Sequence, residues 1–225
     1  MVEKENASVN QYLFERRFRF LLILFFSMLI VGPFLEDYPK LHYLFDLVVS
    51  VFFLFAMYAI VEKLRHLIIT GCLAVPMLVS LWLKYLSEFK TLTAIGETCG
   101  ILFFGYSIVC IVRYLLNQKE VTKEMISAAI VIYMLMAFMW ARVYGLLEVL
   151  EPGSFSLPEG HVFGDRVVYM YFSFVTITTL GYGDIAPLTD KASGLAIIEA
   201  FSGQIYLVVL VAWLVGMHVS KRSKF

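Results

Sequence analysis

The sequence predicts an all-α membrane protein: six transmembrane helices, with a short re-entrant helix between the fifth and the sixth. Three observations carry this. Hydrophobic residues make up 60% of the chain and charged residues 16%, with a mean hydropathy of +0.81. An ordinary soluble domain has roughly 45–50% apolar and about 25% charged residues, and could not hide so much apolar surface. Apolar runs of about 20 residues, the length a bilayer span needs, recur six times. One further apolar segment is too short to span and leads straight into a glycine-containing stretch.

The first run, Phe18 to Leu35, is entered through Arg16, Arg17 and Arg19 and closed by Gly32-Pro33. The second, Leu41 to Val61, carries one acid, Asp46, and the third, Leu67 to Leu86, contains Pro76, where a kink is expected. The fourth runs from Leu92 to Leu116. Thr122 then caps the fifth, with Glu124 in its first turn, and that helix extends to about Leu150. Residues 151–164 hold Pro152, Gly153, Pro158 and Gly160 and read as an irregular exposed loop. Asp165 is the expected N-cap of the short helix Arg166 to Ile177. The non-helical backbone that follows is tolerated at membrane depth only where protein buries it or water lines it. The last run is Ala192 to Val219.

Lysine and arginine placement sets the orientation. One side carries Lys4, Arg16, Arg17, Arg19, Lys63, Arg65, Arg113, Lys119, Lys123, Lys221, Arg222 and Lys224. The other carries only Lys40, Lys84, Lys90, Arg166 and Lys191. Both termini are therefore expected in the cytoplasm of a multi-pass protein of the cell (plasma or inner) membrane. The first 17 residues are polar and lack a signal-peptide cleavage site, so the first run stays as a span. The loop before the sixth span then faces outward with Glu148, Glu151, Glu159, Asp165, Asp184 and Asp190. These acids form either a cation-concentrating vestibule or an ordinary solvated loop.

Several function classes fall away. Net charge is zero, so nothing points to a nucleic-acid partner. His42, His66, His161 and His218 are scattered, and no catalytic constellation, cofactor motif or zinc spacing is present; the chain does not read as an enzyme. Cys72, Cys99 and Cys110 lie inside apolar runs and read as small buried hydrophobes.

The informative stretch is Val175 to Asp184, which reads Val-Thr-Ile-Thr-Thr-Leu-Gly-Tyr-Gly-Asp. Glycine makes poor helix and permits positive φ, so the backbone can turn successive carbonyls one way. The segment resembles the Thr-Val-Gly-Tyr-Gly-Asp signature of potassium channels, with Leu180 in place of valine. In those filters a ring of carbonyls replaces the water shell of K+. A ring needs about four strands, and one chain supplies one, so the resemblance implies a homotetramer around a central pore. It further implies that Thr179, Leu180, Gly181, Tyr182 and Gly183 meet K+ through carbonyls, Thr179 also through its hydroxyl. Thr178 and Asp184 would brace the filter, and the Tyr182 side chain would point back into the protein. Where many relatives have two pore-helix tryptophans, this chain has Tyr171 and Phe172. Tyr171 can still donate to Asp184, but Phe172 cannot donate. Val175 stands where some bacterial relatives have a glutamate bonded to that aspartate, so the cuff around the filter is expected to be looser.

The resemblance divides the chain into a cytoplasmic N-terminus (1–17), a four-helix voltage-sensor-like domain (18–118), a pore domain (119–219) and a short cytoplasmic tail (220–225). The sixth span also resembles bacterial members of the family through Glu199 to Leu207. Gly203 lies where such inner helices bend; it is either that hinge or a close-packing position. Gln204, Leu207, Val211 and Val215 share a helical face and are candidates for the cavity lining and gate. Arg142 and Glu199 fall within spans, and since intramembrane charges are usually paired, they are expected to pair behind the pore helix. Asp46 and Glu97 offer either a proton or ligand site inside the bundle or internal pairing.

The fourth span has one arginine, Arg113, near its cytoplasmic end. Voltage sensing draws on about 3–4 gating charges per subunit, so the domain is expected not to sense voltage. The function this reading implies is passive K+ conduction, with no cofactor beyond permeant K+. The alternatives are a weakly selective monovalent cation channel, a secondary transporter or a non-conducting regulatory subunit. Expected partners are other copies of the chain, membrane lipids and, if no segment follows residue 225, a separate regulatory subunit.

Overall fold

The computed structural model describes residues 16–35, 47, 50, 51, 53, 55, 57, 64–83, 90–118, 120–156 and 166–222. Its helices are α1 (Arg17–Leu35), α2 (Leu64–Leu83), α3 (Lys90–Leu116), α4 (Lys123–Leu150), α5 (Arg166–Ile177) and α6 (Asp190–Arg222). Residues 47, 50, 51, 53, 55 and 57 are helical as well. Most of the second expected run, with Asp46, lies outside the described residues, as does Asp165. Two short strands, β1 (Phe155–Ser156) and β2 (Ala186–Pro187), pair antiparallel with Phe155 opposite Pro187. Sequence periodicity gave no sign of strands this short.

Among the described residues four helices are long and apolar enough to cross a membrane: Arg65–Leu83, Lys90–Leu116, Lys123–Leu150 and Asp190–Met217. α4 starts where the cap chemistry requires, since the Thr122 hydroxyl accepts from the Met125 amide at 3.1 Å. α6 begins two residues earlier than expected, because the Thr189 hydroxyl accepts from Ala192 N (3.2 Å) and Asp190 complements the N-terminal end of the dipole. α2 continues through Pro76 without a break.

α4 is the hub: α1, α3, α5 and α6 all pack on it. Its sequence explains this. Met125, Ala128, Ala129, Val131, Ile132, Leu135 and Phe138 are buried, and the small residues among them let neighbouring backbones come close. A row of rings crosses the molecule, Phe53 to Phe104 at 5.6 Å, Phe104 to Phe138 at 5.8 Å and Phe138 to Phe174 at 5.7 Å. The row joins the helical bundle through α4 to α5. At the other end of α4, Glu124 accepts from Phe18 N at 2.6 Å and pairs with Arg19 at 3.3 Å, pinning the start of α1.

The expected Arg142–Glu199 pair is corrected. Arg142 on α4 pairs with Glu97 on α3 at 3.2 Å, with side chains only 11% and 4% exposed. Two glycines make the room: a Cβ on Gly100 would meet the Arg142 stem at 3.3 Å, and one on Gly145 would meet the Glu97 carboxyl at 3.4 Å. Each charge thus lies over a glycine of the facing helix. For Glu97, internal pairing, here with Arg142, is the reading the contact supports.

α6 is different. Ile197, Ile198, Phe201, Val208, Val209 and Val211 are all exposed, and hardly any of the helix is covered by its own chain. Such a surface needs lipid or further protein against it.

Candidate functional site

The site grows from the C-terminal end of α5. Thr178 N still donates to Phe174 O (3.2 Å) and Thr179 N to Thr176 O (2.9 Å), so the helix unwinds through one tight turn. Next, Leu180 N and Gly181 N both donate to a single acceptor, the Val175 carbonyl, at 2.9 and 3.3 Å. No peptide bond here is cis, and in a planar trans peptide the N–H and the preceding C=O point opposite ways. The Thr179 and Leu180 carbonyls therefore face together, away from α5. Positive φ recurs at every second residue: Thr179 (60°), Gly181 (59°) and Gly183 (77°). For threonine this backbone is strained, and such outliers cluster at functional sites.

The supports divide into those legible in the sequence and those that were not. The Tyr171 hydroxyl donates to Asp184 Oδ2 at 2.7 Å, and Ile185 N donates to Oδ1 at 3.1 Å. That tyrosine bond holds the Asp184 carboxyl below its ordinary value, and the same bond, followed by desolvation, pushes the Tyr171 hydroxyl up to about 12. Phe172 makes no polar bond. It fills an aromatic cluster with Tyr144 at 5.0 Å and Phe155 at 5.3 Å. Val175 is buried and contributes through its carbonyl, as described above. The Thr178 hydroxyl bonds back to Phe174 O at 2.6 Å. Tyr182 is 67% exposed, so the described residues of its own chain leave most of the ring uncovered.

Three further supports escaped sequence reasoning. Tyr133 on α4 donates to the Ile177 carbonyl at 2.8 Å and so holds the last residue of α5. Tyr206 on α6 donates to Ala129 O at 2.6 Å, and the two rings stack at 6.0 Å. Glu148 accepts from Gly153 N (2.6 Å) and Ser154 N (3.1 Å), fixing the start of the loop that feeds β1. The available signal was tyrosine inside an apolar run, since a buried phenol needs a partner.

Gly203 is buried against the end of α5: a Cβ there would lie 2.6 Å from Ile177 Cγ1 and 3.0 Å from its carbonyl oxygen. α6 runs unbroken through it. Of its two readings, close packing is the one this contact supports. Gln204, Leu207, Val211 and Val215 are exposed in the single chain, but so is most of α6, so exposure does not single them out. Among the described residues no cluster of three or more His, Cys, Asp or Glu could hold a metal ion.

Residues 120–219, α4 through most of α6, match a family described as "Ion channel". A stretch of 70 residues, 28% of the chain, is 40% identical to "Two pore potassium channel b" of Oryza sativa subsp. japonica. The likeness is to a channel, not to an enzyme. The chain spans only 20% of that protein's length. No solved structure matches the chain significantly. The channel-like part thus begins beside the α4 cap and contains the whole site.

Proposed function

We propose that the chain is the subunit of a potassium-selective channel in which four copies place residues 179–183 around one axis. The observation that carries this is the shared direction of the Thr179 and Leu180 carbonyls, with left-handed residues alternating along a segment of potassium-channel sequence. Carbonyls converging on an axis can replace the hydration shell of a monovalent cation without any other cofactor. α5 points its negative, C-terminal end at the inner mouth of such a pore. The uncovered apolar length of α6 supports further copies and lipid around it. In this reading residues 18–118 form the sensor-like bundle, 119–219 the pore, both termini are cytoplasmic, and the membrane is the cell (plasma or inner) membrane. Six spans require α1 and the second run to cross as well. Gln204, Leu207, Val211 and Val215 line the cavity below the filter. α3 carries only Arg113 in its last turn, so conductance should vary weakly with voltage.

Reversal potentials of the reconstituted protein in asymmetric K+ and Na+ test the reading. A shift to the potassium equilibrium potential supports it. An intermediate shift supports the weakly selective reading, which one observation favours: Phe172 gives no donor, leaving Tyr171–Asp184 as the only described bond from α5 to that acid. Coupled flux or silence would replace both with a transporter or a non-conducting subunit.

Tyr171→Phe should make the channel sensitive to milder external acid. The depressed Asp184 keeps the Tyr171–Asp184 bond intact above the ordinary carboxylate range and loses it as pH falls through the lowered value. Without Tyr171 the carboxyl returns toward its ordinary value, so acid block of K+ flux should begin at higher pH. Identical acid profiles would refute the role given to this bond.

A further inference from the structure

Behind α5 lies a carboxyl that conduction through carbonyls does not use. Glu199 on α6 is fully buried. The Tyr144 hydroxyl from α4 bonds its Oε2, and Ser173 from α5 bonds its Oε1. The same Ser173 oxygen lies 2.7 Å from the Ala137 carbonyl of α4. A serine hydroxyl has one hydrogen to give and a carbonyl can only accept. If that hydrogen goes to Ala137, the bond to Glu199 needs a hydrogen from the carboxyl itself. The whole set closes when Glu199 is a carboxylic acid: Glu199 donates to Ser173, Ser173 to Ala137, and Tyr144 to Glu199.

The surroundings agree. The titratable groups that face Glu199 from α4 are Tyr144, which bonds it directly, and Tyr133; α5 faces it with Ser173, which does not titrate. No cation among the described residues pairs with Glu199, because Arg142 is held by Glu97 on α3. A buried ion without a partner is costly, whereas the neutral acid leaves no buried hydrogen-bonding group unpaired.

We propose that Glu199 is a protonated positioning residue, a neutral clasp joining α4, α5 and α6, and that its deprotonation releases α5 and disturbs the strand of residues 179–183. The last clause rests on the channel reading; the protonation state does not. Ser173 lies one turn before Ile177, so a shift of α5 at Ser173 moves the residues that the Val175 carbonyl anchors. Glutamine can replace the acid, its carbonyl accepting from Tyr144 and its amide donating to Ser173.

The test takes infrared difference spectra of the full chain in lipid vesicles, wild type against Glu199→Gln, with potassium flux measured on the same vesicles. The expected result is a protonated-carboxyl C=O band at neutral pH that the variant loses. Wild-type flux should fall in alkali. The glutamine variant should conduct at neutral pH and resist alkali, and Glu199→Ala should lose flux at every pH. Absence of the band from the wild type at neutral pH would overturn the clasp, as would one alkaline profile shared by wild type and glutamine variant. If no vesicle conducts, the channel reading fails, and the infrared band still decides the state of Glu199.

Discussion

Gly181→Ala should nearly abolish potassium flux while the protein still assembles. Gly181 sits at φ 59° and Gly183 at φ 77°, where an L side chain costs about 1–2 kcal/mol per residue. That alone shifts a local backbone equilibrium by about tenfold, given about 1.4 kcal/mol per factor of ten. The alanine Cβ itself meets nothing within 4 Å in the single chain, so the effect would come from backbone direction and not from crowding. Gly194→Ala is the control. Gly194 is helical, has no positive φ and has open space around it, so flux should be unchanged or the fold slightly firmer. Equal flux from both variants would remove the filter from residues 179–183.

Glu97→Ala should destabilise the fold by about 3–5 kcal/mol, because it leaves the Arg142 guanidinium buried without its counter-charge. Arg142→Met in the same chain should restore most of that loss, since replacing both members of a buried pair with apolar groups is often close to neutral. Unfolding titrations in mixed micelles measure both. A single variant within about 0.5 kcal/mol of the wild type would place it among ordinary surface substitutions and show that the pair is solvated. The glycine seats make a second check: alanine at Gly100 would press on the Arg142 stem, whereas alanine at Gly145 would only come into contact with Glu97.

The helices were legible because their signals are local. Thr122 announces α4 by a cap, and a run of apolar residues bounded by charges announces a span. The turn of backbone at residues 181 and 183 was legible as well, since glycine permits the positive φ found there. What stayed hidden was pairing across helices. Arg142 and Glu199 were matched because both lie deep in apolar runs, but depth along a helix says nothing of the face a side chain takes. The two glycines that admit Arg142 and Glu97 to one another act at right angles to the sequence. Tyr133, Tyr206 and Ser173 were hidden for the same reason, each bonding to an atom on another helix. Val175 was noted for its side chain, yet it acts through its carbonyl, which any residue would supply.

The turn between α3 and α4 takes only residues 117–122, and it sets a folding order. Contacts between neighbours in the chain form early because little loop entropy opposes them. The α3–α4 hairpin, with its buried ion pair, can therefore close as soon as both helices have left the ribosome. In the channel proposed above, copies would then meet as finished bundles, and the long exposed face of α6 would be the last surface to find its cover.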